Sequence, residues 1–531
     1  MTGVGVALDA ASRGLRVALV EKGDLAEGTS SKSSKMAHGG LRYLQQRELR
    51  LVYENLHERQ RLLENAPHLV RPLPFLIPLF GRDGVVSKAV ARSYRTALWL
   101  YDVTGGVRIG RRHRKLSRDE VLTDFPSLDV SRLVAGFLYW DARGDDARIA
   151  LAIARTAATR FGAVIATRAA VTAVRHDADG RATGVEVTPV APGDDPAPFE
   201  VAARVIVNAT GVWADALTAL DEGHATHTLT PAKGVHVTVP ASRLACTTAA
   251  VVPVRADRRS IFVVPWEDAA YTYLGTTDTA YDGPLDDPLC LGEDVDYLLG
   301  AVNAFTSAEL TRADVTAVWA GLRPLLADDE GHHHSERTAD LSRRHSVRTA
   351  DDGMVHVTGG KWTTYRLMAE HTVDAVARQL PGTARCRTKS LRLLGAPSST
   401  ERTVVPGIDQ ALADRLARRY GTEAPAVVGV AAQDPSLLEP FIEGLSYIGA
   451  ELVFAARSEL AVTLTDLLCR RTRAHLIDAR ATFNAAERAA RIVAGELGWD
   501  EARVEAEVAE YRGRCAHELD AAGVMGPSQV L

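Results

Sequence analysis

Residues 29–43 read T-S-S-K-S-S-K-M-A-H-G-G-L-R-Y, and this stretch decides how the rest of the chain is interpreted. It contains five serine or threonine hydroxyls, two lysines, one histidine, two adjacent glycines and an Arg-Tyr pair. Apolar residues do not recur at helical or strand spacing, so the stretch is not an ordinary core element. Its composition predicts a loop that wraps a flat polar ligand and presents Arg42 and Tyr43 to a pocket.

The segment before this loop has the order helix, glycine, strand, acid. Residues 1–12 are small and apolar and predict a helix, which Gly14 is suited to end. Residues 16–20 (R-V-A-L-V) predict a strand, and Glu21 lies at its end. This order is typical of the second half of a dinucleotide-binding βαβ unit, in which the acid binds ribose hydroxyls.

The first strand and the first two glycines of such a unit do not precede this segment. Gly3 lies 18 residues before Glu21, near the spacing of about 20 residues between the glycine motif and its acid. One interpretation is a start placed too far downstream, and the other is a protein that has lost its phosphate cradle. We favour a truncated N-terminus, because the pattern after Gly3 is intact.

Length and composition restrict the class of protein. A chain of 531 residues is too long for one core and predicts two to four domains. The net charge of -5 argues against a nucleic-acid partner. Five scattered cysteines without C-x-x-C spacing favour a reducing, cytoplasmic location and no structural metal. The sequence has no apolar run of membrane-spanning length and no leader, so we expect a protein that is not secreted.

Two motifs carry a resemblance to a known family. The run from Glu21 through G-D-L-A-E-G-T-S-S-K-S-S-K-M-A-H-G-G-L-R-Y-L resembles the FAD-dependent glycerol-3-phosphate dehydrogenases, which belong to the glutathione-reductase-like flavoproteins. The string G-G-K-W-T-T-Y-R at residues 359–366 is the second specific match. The resemblance extends from Gly3 to about Ala521, and the family normally opens with a strand and G-G-G-x-x-G.

The resemblance implies an α/β fold with three parts. The first is a discontinuous Rossmann-type FAD-binding domain, residues 1–75, 140–228 and 325–394, without its first strand. A β-rich substrate domain (76–139 and 229–324) is inserted into it, and an all-α C-terminal domain covers residues 404–531. Strand segments at 163–165, 170–174, 182–187 and 201–207 resemble the flavin domain's meander, and we expect one helix over 452–471 with a basic edge at Arg470, Arg471 and Arg473.

The family pattern also implies the cofactor contacts. A buried strand that delivers N-A-T-G lets the backbone approach a ligand closely, and a helix start after Gly-Gly suits an anion or the electron-rich edge of a flavin. The implied FAD-binding residues are Gly3, Glu21, Thr29, Ser30, Ser34, Lys35, Val171, Ala209, Thr210, Gly211, Gly360, Lys361, Thr363 and Thr364.

Oxidation of a secondary alcohol removes a hydride from carbon and a proton from oxygen. The resemblance implies that sn-glycerol 3-phosphate loses a hydride from C2 to N5 of the flavin and becomes dihydroxyacetone phosphate. Guanidinium groups clamp phosphate well, so Arg42, Arg343 and Lys361, with the Tyr43 hydroxyl, are expected to bind substrate. The expected catalytic residues are Arg323, His236 and His38, and their order as proton acceptors stays open.

Residues 82–115 carry nine Lys or Arg against two Asp. A solvated basic face explains this charge, but a docking surface for anionic lipid explains it too. Because members of the resembled family pass electrons to membrane quinone, we expect a peripheral position on the inner face of the cell membrane. The resemblance leaves a homodimer open.

Two other groups have simpler explanations. Asp145 or Asp146 is expected to cap the following helix rather than to act in catalysis. The run His332–His334 is expected to be a solvated loop, since no fourth metal ligand is spaced to complete a site.

Two rival functions remain at this stage. The chain could be a related flavin oxidase that uses oxygen or acts on another 2-hydroxy acid or an amine, but such an enzyme needs a carboxylate clamp instead of a phosphate pocket. It could also be a non-catalytic remnant, since the phosphate-cradling glycines are missing. Bound flavin and turnover with glycerol 3-phosphate separate these alternatives.

Overall fold

The computed structural model describes residues 1–41, 48–81, 88–190, 197–224, 227–254, 260–327, 344–398 and 403–524. Their strands are β1 (Ala18–Val20), β2 (Met36–Ala37), β3 (Val70–Phe80), β4 (Arg114–Ser117), β5 (Leu133–Gly144), β6 (Val164–Ala166), β7 (Ala169–His176), β8 (Ala182–Pro189), β9 (Phe199–Ala202), β10 (Val207–Asn208), β11 (Leu229–Pro240), β12 (Ala249–Pro253), β13 (Ser260–Pro265), β14 (Tyr271–Gly275), β15 (Thr279–Ala280), β16 (Ala317–Leu326), β17 (His345–Thr349) and β18 (Val355–Gly359).

The α-helices in the same ranges are α1 (Thr2–Ser12), α2 (Leu49–Asn65), α3 (Lys88–Val103), α4 (Arg118–Asp124), α5 (Asp146–Phe161), α6 (Ala214–Glu222), α7 (Gly292–Asn303), α8 (Tyr365–Gln379), α9 (Gln410–Tyr420), α10 (Ala424–Gly429), α11 (Gly449–Ser458), α12 (Ala474–Ile477), α13 (Ala479–Leu497) and α14 (Glu501–Ala521). None of these helices combines the length and the apolar character that crossing a bilayer requires.

The first helix, α1, contacts α5 and α8. Residues 4–12 are buried on every side of it, which its small side chains permit. A Cβ on Gly5 would lie 2.8 Å from the Tyr365 ring, so this glycine allows helix α8 to come close. Strand β1 pairs in parallel with β6, and β10 pairs in parallel with β18.

Strands β7, β8 and β9 form the predicted antiparallel meander. The predicted strand over 201–207 is wrong, because β9 ends at Ala202 and β10 begins at Val207 in another sheet. The backbone N–H of Ala203 still donates to the Thr183 carbonyl at 2.8 Å, and the chain then leaves the meander.

The largest sheet has ten strands in the order β15-β11-β14-β13-β12-β3-β5-β2, with β16 added to β11 and β4 added to β5. All its pairs are antiparallel except β12 with β3. Strands β3 and β5 run through the predicted domain boundaries at 75/76 and 139/140. One continuous apolar cluster joins this sheet, through Phe75 and Tyr139, to Leu464, Leu467 and Leu468 of the C-terminal helical region.

The predicted single helix over 452–471 is wrong. Helix α11 ends at Ser458, and a π-helical turn follows at Asp466–Arg471. Leu460 between them has a φ of +58° and is 42% exposed, although its spacing suggested a buried helical face. Buried Glu459 explains the break, because Arg148 donates to its carboxylate at 2.7 Å.

The predicted basic edge at Arg470, Arg471 and Arg473 is also wrong. Arg470 and Arg471 are buried and donate to Asp24 at 2.5 and 2.7 Å. The Arg473 Nε atom lies 3.0 Å from Asp145 Oδ2. These arginines therefore hold the C-terminal region against the N-terminal one.

Candidate active site

One face of the pair β11–β16 gathers the polar residues that the sequence singled out. In the register of this pair Ala232, Gly234 and His236 lie opposite Arg323, Gly321 and Trp319. Because side chains alternate between the faces of a strand, these six residues share one face. We call His236, Trp319 and Arg323, with the glycine pair between them, the polar wall.

Glycines make room for the two functional side chains of this wall. A Cβ on Gly234 would lie 2.3 Å from Arg323 Nη2, so the guanidinium lies directly over this glycine. A Cβ on Gly275, opposite His236 on β14, would lie 2.0 Å from the imidazole Cδ2. Any larger residue at either position would displace a side chain of the wall.

A turn after β14 orients Arg323. The Nη2 group donates to Thr276 Oγ1 at 3.0 Å and to the Thr277 carbonyl at 3.1 Å, and Nη1 lies 3.3 Å from Asp278 Oδ1. Pro324 lies inside β16, which continues to Leu326. Arg323 therefore projects from a strand that is paired with β11 both before and after this residue.

His236 is buried and its ring is neutral. It stacks on Trp319 with a centroid separation of 4.8 Å and an interplanar angle of 7°. Burial first, and then the positive charges of Lys35 and Arg323, lower the pKa of His236 well below its usual value. Nδ1 has no hydrogen-bond partner among the described residues, so Nε2 alone connects the ring to a neighbour.

Residues 29–35, which we call the hydroxyl-rich loop, pack against the polar wall. Ser34 Oγ lies 2.7 Å from His236 Nε2, and Thr29 Oγ1 donates to the Leu322 carbonyl at 2.6 Å. A Cβ on Gly321 would lie 2.6 Å from the Lys32 Cβ, so the loop backbone runs directly over the glycine pair. The Tyr273 hydroxyl donates to the Ser34 carbonyl at 3.0 Å and fixes the loop from β14.

Asp146 fastens the other side of this loop. Its carboxylate accepts from Ser33 Oγ at 2.6 Å and from the buried Lys35 Nζ at 3.1 Å. Burial lowers the pKa of Lys35, and the Asp146 carboxylate opposes that shift. Asp145 is the N-cap of α5, as predicted, and accepts from the Arg148 N–H. Asp146 thus has a positioning role that the capping pattern did not reveal.

A cavity of about 310 Å³ begins where β1 ends and extends along the loop to β16. Glu21 lines it and accepts from the Gly23 N–H at 3.1 Å, and burial raises the pKa of this carboxyl group. The other lining residues include Gly28, Thr29, Lys32, Trp213, Trp319, Gly321 and Leu322. The volume lies at the lower end of the range of small-molecule sites.

The N-terminal end of α1 and the N-A-T-G turn meet beside this cavity. The Met1 nitrogen lies 2.7 Å from Ser30 Oγ, and a Cβ on Gly3 would lie 3.7 Å from the Ala209 Cβ. Buried Asn208 accepts from the Thr210 N–H and hydroxyl at 3.2 and 2.8 Å. Gly211 has a φ of +66°, a conformation that favours glycine at this turn.

The remaining predicted cofactor residues lie in two places. Val171 packs against the same apolar cluster as Val20, which is the residue before Glu21. Gly360 has a φ of +80° and leads through Lys361 into a short 3₁₀ turn at Trp362–Thr364 and then α8. Thr363 and Thr364 are buried there, and this turn contacts β2 at the end of the hydroxyl-rich loop.

Not every predicted site residue can be placed. His38 is half-buried and precedes Gly39, whose N–H donates to Tyr101 Oη at 2.9 Å. Arg42, Tyr43 and Arg343 lie outside the described residues, and so does the run His332–His334. Their roles stay predictions.

The sequence interpretation missed Trp319, the stacking partner of His236. The W-A-G-L-R spacing carried the signal, since a large ring two residues before a strand glycine shares a face with it. His176, Asp221 and Asp352 bring three candidate ligand atoms within 4.8 Å of one another outside the site. The expectation of no metal therefore stays a prediction.

Comparisons with known proteins identify the family to which the chain belongs. Residues 1–375 match the family described as FAD dependent oxidoreductase, and residues 386–504 match the C-terminal domain of alpha-glycerophosphate oxidase. The chain is 41% identical over 529 residues to glycerol-3-phosphate dehydrogenase 2 of Mycobacterium tuberculosis (strain H37Rv), a match covering 98% of this chain and 87% of that protein. The chain belongs to the FAD-dependent glycerol-3-phosphate dehydrogenase family.

Other members of the family are similar over almost all of this chain. Mitochondrial glycerol-3-phosphate dehydrogenase of Mus musculus is 35% identical over 531 residues, covering 96% of this chain and 71% of that one. The crystal structure of the glycerol-3-phosphate dehydrogenase from Bacillus halodurans complexed with FAD has a TM-score of 0.78 and 30% identity, with 98% of this chain and 93% of that chain covered. The predicted family, fold class and FAD dependence are confirmed.

Proposed function

We propose that this chain oxidises sn-glycerol 3-phosphate to dihydroxyacetone phosphate at the polar wall, with FAD bound along the hydroxyl-rich loop. One observation carries the proposal. His236 and Arg323 share a sheet face, and Ser34 of the loop contacts that face at 2.7 Å. A substrate bound on this face beside the loop would meet a neutral base and a guanidinium group together.

The described residues fit FAD in three respects. Glu21 lies where the first strand ends and lines a cavity, which suits ribose hydroxyls. The N-terminal end of α1 faces Ser30, and its free N–H groups suit a pyrophosphate. At the N-A-T-G turn the backbone is open at Gly211, where a Cβ would meet no atom within 4 Å, whereas Gly28 lies against the Trp213 ring. When bound, FAD supplies a hydride acceptor for the substrate carbon.

The chain's own residues orient the substrate and move the proton. Arg323, fixed by the Thr276–Asp278 turn, stabilises negative charge on the C2 oxygen as the proton leaves. His236 accepts this proton at Nε2, the atom that contacts Ser34 Oγ; its neutral state leaves a lone pair for the proton, and its lowered pKa makes it a weaker base than an exposed imidazole. His38 is the second candidate. Arg42, Arg343, Lys361 and Tyr43 are proposed to hold the phosphate.

The test uses the purified full chain. We expect bound flavin, visible as a yellow protein, and dye-linked turnover with glycerol 3-phosphate that exceeds turnover with glycerol, lactate or glycine by at least about 10³-fold. Glycerol is the matched control, because it lacks only the phosphate. A colourless protein would favour a non-catalytic remnant, and equal turnover with lactate or glycine would favour an oxidase of another substrate.

We further propose that a membrane quinone reoxidises the enzyme and that α3 docks on anionic lipid. On this helix Arg92 and Arg95 are exposed, and Trp99 is 58% exposed. Leu98 and Tyr101, however, are buried in the core and take no part.

Sedimentation with anionic vesicles should decrease in Trp99→Ser and in Arg92→Gln/Arg95→Gln, while neutral vesicles bind neither these variants nor the parent. Equal sedimentation of all three proteins would contradict the docking proposal. A homodimer stays a prediction.

A further inference from the structure

A second, smaller cavity lies where three parts of the chain meet. It has a volume of about 70 Å³ and is bordered by the ends of β3 and β5, the β13–β14 hairpin, helix α9 and the segment around Arg473. It shares no lining residue with the cavity at Glu21. A space of this size holds several water molecules or one small polyatomic ion.

The lining of this junction cavity carries an excess of positive charge. Seven cations face three carboxylates, and these residues are Lys35, Arg71, Arg143, Arg415, Arg418, Arg419 and Arg473 against Asp145, Glu267 and Asp268. Asp146 and Glu451 lie behind the lining and pair with Lys35 and Arg415. Even with these two acids, the cations outnumber the carboxylates by two. Arg415 and Arg419 are buried while Arg71 and Arg418 are partly exposed, so this excess of positive charge favours an anion that can enter from solvent.

Several guanidinium nitrogens of the cavity lack partners. Arg415 is 4% exposed and donates from Nη2 to Glu451 at 2.6 Å. Its Nε and Nη1 atoms are buried and have no hydrogen-bond partner among the described residues. The same holds for the Nε atoms of Arg71 and Arg418. Buried polar groups of this kind are usually satisfied by a bound ion or water.

The neighbouring titratable groups respond to this positive potential. Burial lowers the pKa of Arg71, and the charges of Arg418 and Arg143 add to the lowering, although Glu267 and Asp268 oppose it. Burial, followed by the charges of Arg148 and Arg71, lowers the pKa of His68 to about 3. His68 is therefore neutral and does not add to the excess.

We propose that the junction cavity binds a phosphoryl dianion, held by Arg71, Arg415 and Arg418. The two excess positive charges match a doubly charged anion. Planar guanidinium donors match tetrahedral phosphoryl oxygens, and the three arginines come from β3 and α9, which belong to different parts of the fold. The anion would join the sheet to the C-terminal helical region.

The cavity also adjoins the active site on its rear side. Lys35 lines it and lies in the hydroxyl-rich loop, and Tyr273 lines it and donates to the Ser34 carbonyl. Occupancy can therefore stiffen the loop that contacts His236. The source of the dianion is either inorganic phosphate or a phosphorylated metabolite, which share the group that these arginines would bind.

Calorimetric titration of the full chain with inorganic phosphate tests the proposal. It should be carried out in an Arg42→Met/Arg343→Met background, which removes two of the arginines proposed to hold phosphate in the active site, and repeated with glycerol 3-phosphate to distinguish the two sources. We expect one phosphate site that weakens about tenfold or more in Arg415→Gln and in Arg418→Gln. Arg491→Gln, an exposed arginine of α13, is the matched control and should leave the affinity unchanged.

Arg418 keeps the test decisive if Arg415→Gln fails to fold, because its side chain is 34% exposed and its loss is tolerated more easily. Unchanged phosphate affinity in Arg418→Gln, or absence of any phosphate site in the Arg42→Met/Arg343→Met background, would overturn the proposal. A crystal soaked with selenate should show anomalous density between Arg415 and Arg418. These readouts need no turnover, so they are independent of the proposed function.

Discussion

The polar wall and the junction around Asp24 both bury charged or titratable groups, but they treat them differently. Asp24 is fully buried and accepts from Arg471 through both oxygens, at 2.7 and 2.8 Å, and from Arg470 at 2.5 Å. Arg470 also pairs with Asp466, which in turn accepts from Arg168 at 2.7 Å. At the wall, His236 has one hydrogen bond and an unpaired Nδ1 among the described residues.

This contrast separates stability from function. Burial alone would raise the pKa of Asp24, but the adjacent Arg471 and Arg470 lower it overall, so the carboxylate stays charged and holds the two ends of the chain together. At the wall, burial and nearby cations keep His236 neutral, and Gly275 makes room for its ring. The first region should respond to mutation in stability and the second in rate.

The largest effect is expected for Arg323→Met. Removal of the guanidinium should lower turnover by about 10³-fold, equivalent to about 4 kcal/mol of transition-state stabilisation, because no other described side chain of the wall carries a positive charge. Flavin content and melting temperature should stay within error of the parent. Steady-state kinetics provide the measurement, and Arg491→Met is the control. Parent-like activity in Arg323→Met would remove this residue from the site.

Asp24→Asn should instead affect stability, by about 3–5 kcal/mol, because it leaves the buried Arg471 without its carboxylate partner and Arg470 with Asp466 alone. Asp296→Asn, in an exposed pair with Arg312, is the matched control and should cost less than about 1 kcal/mol. Urea denaturation measures both. A small loss in Asp24→Asn would mean that the junction does not hold the regions together.

The ion pairs of Asp24 with Arg470 and Arg471 also predict that stability depends on pH. The pKa of Asp24 is lower in the folded than in the unfolded protein, so the unfolded chain binds the proton more tightly. The stability from this pair is present above the unfolded value of about 4 and is lost as the pH falls below it. Denaturation at several pH values should show a steeper acid loss in the parent than in Asp24→Asn.

His236→Gln should lower the rate of substrate oxidation by about 10²-fold, since the glutamine keeps a hydrogen bond but cannot accept a proton near neutral pH. Because the pKa of His236 lies well below its usual value, the parent rate should not fall between pH 8 and about pH 6 through protonation of this ring. Single-turnover kinetics over this range are the check. A rate that titrates near the ordinary histidine value would show that the ring is not buried as described.

The smallest effect is expected for Ser34→Ala, which removes the contact with His236 Nε2. One hydrogen bond contributes about 0.5–1.5 kcal/mol, so the rate should fall by up to about tenfold and the stability by a similar free energy. Ser436→Ala, an exposed serine that contacts Asp434, is the control. A loss as large as that of His236→Gln would mean that Ser34 itself transfers the proton.

Local patterns in the sequence were sufficient for much of this account. The helix before Gly14, the strand ending at Glu21 and the strand that carries His236 follow from composition and alternation. Arg323, Ser34 and His236 were each found inside a motif, and the structure brings these three together. Glycines at 234, 275 and 321 could be read as open positions on strands, although which side chain fills each space required the register.

Long-range pairing could not be predicted in the same way. The break at Leu460 follows from the bond between Arg148 and Glu459, residues that are 311 positions apart. Arg470 and Arg471 looked like a solvated edge because Asp24 lies 446 and 447 residues away. Asp146 had a local explanation as a cap, and that explanation concealed its bonds to Ser33 and Lys35.

The central claim is that glycerol 3-phosphate is oxidised at the polar wall, and anaerobic mixing tests it most directly. The flavin-bound parent protein should lose its yellow absorbance when mixed with glycerol 3-phosphate and keep it when mixed with glycerol. Arg323→Met should bind flavin and keep its colour with both compounds. Rapid loss of colour in Arg323→Met with glycerol 3-phosphate, or no loss in the flavin-bound parent, would contradict the account.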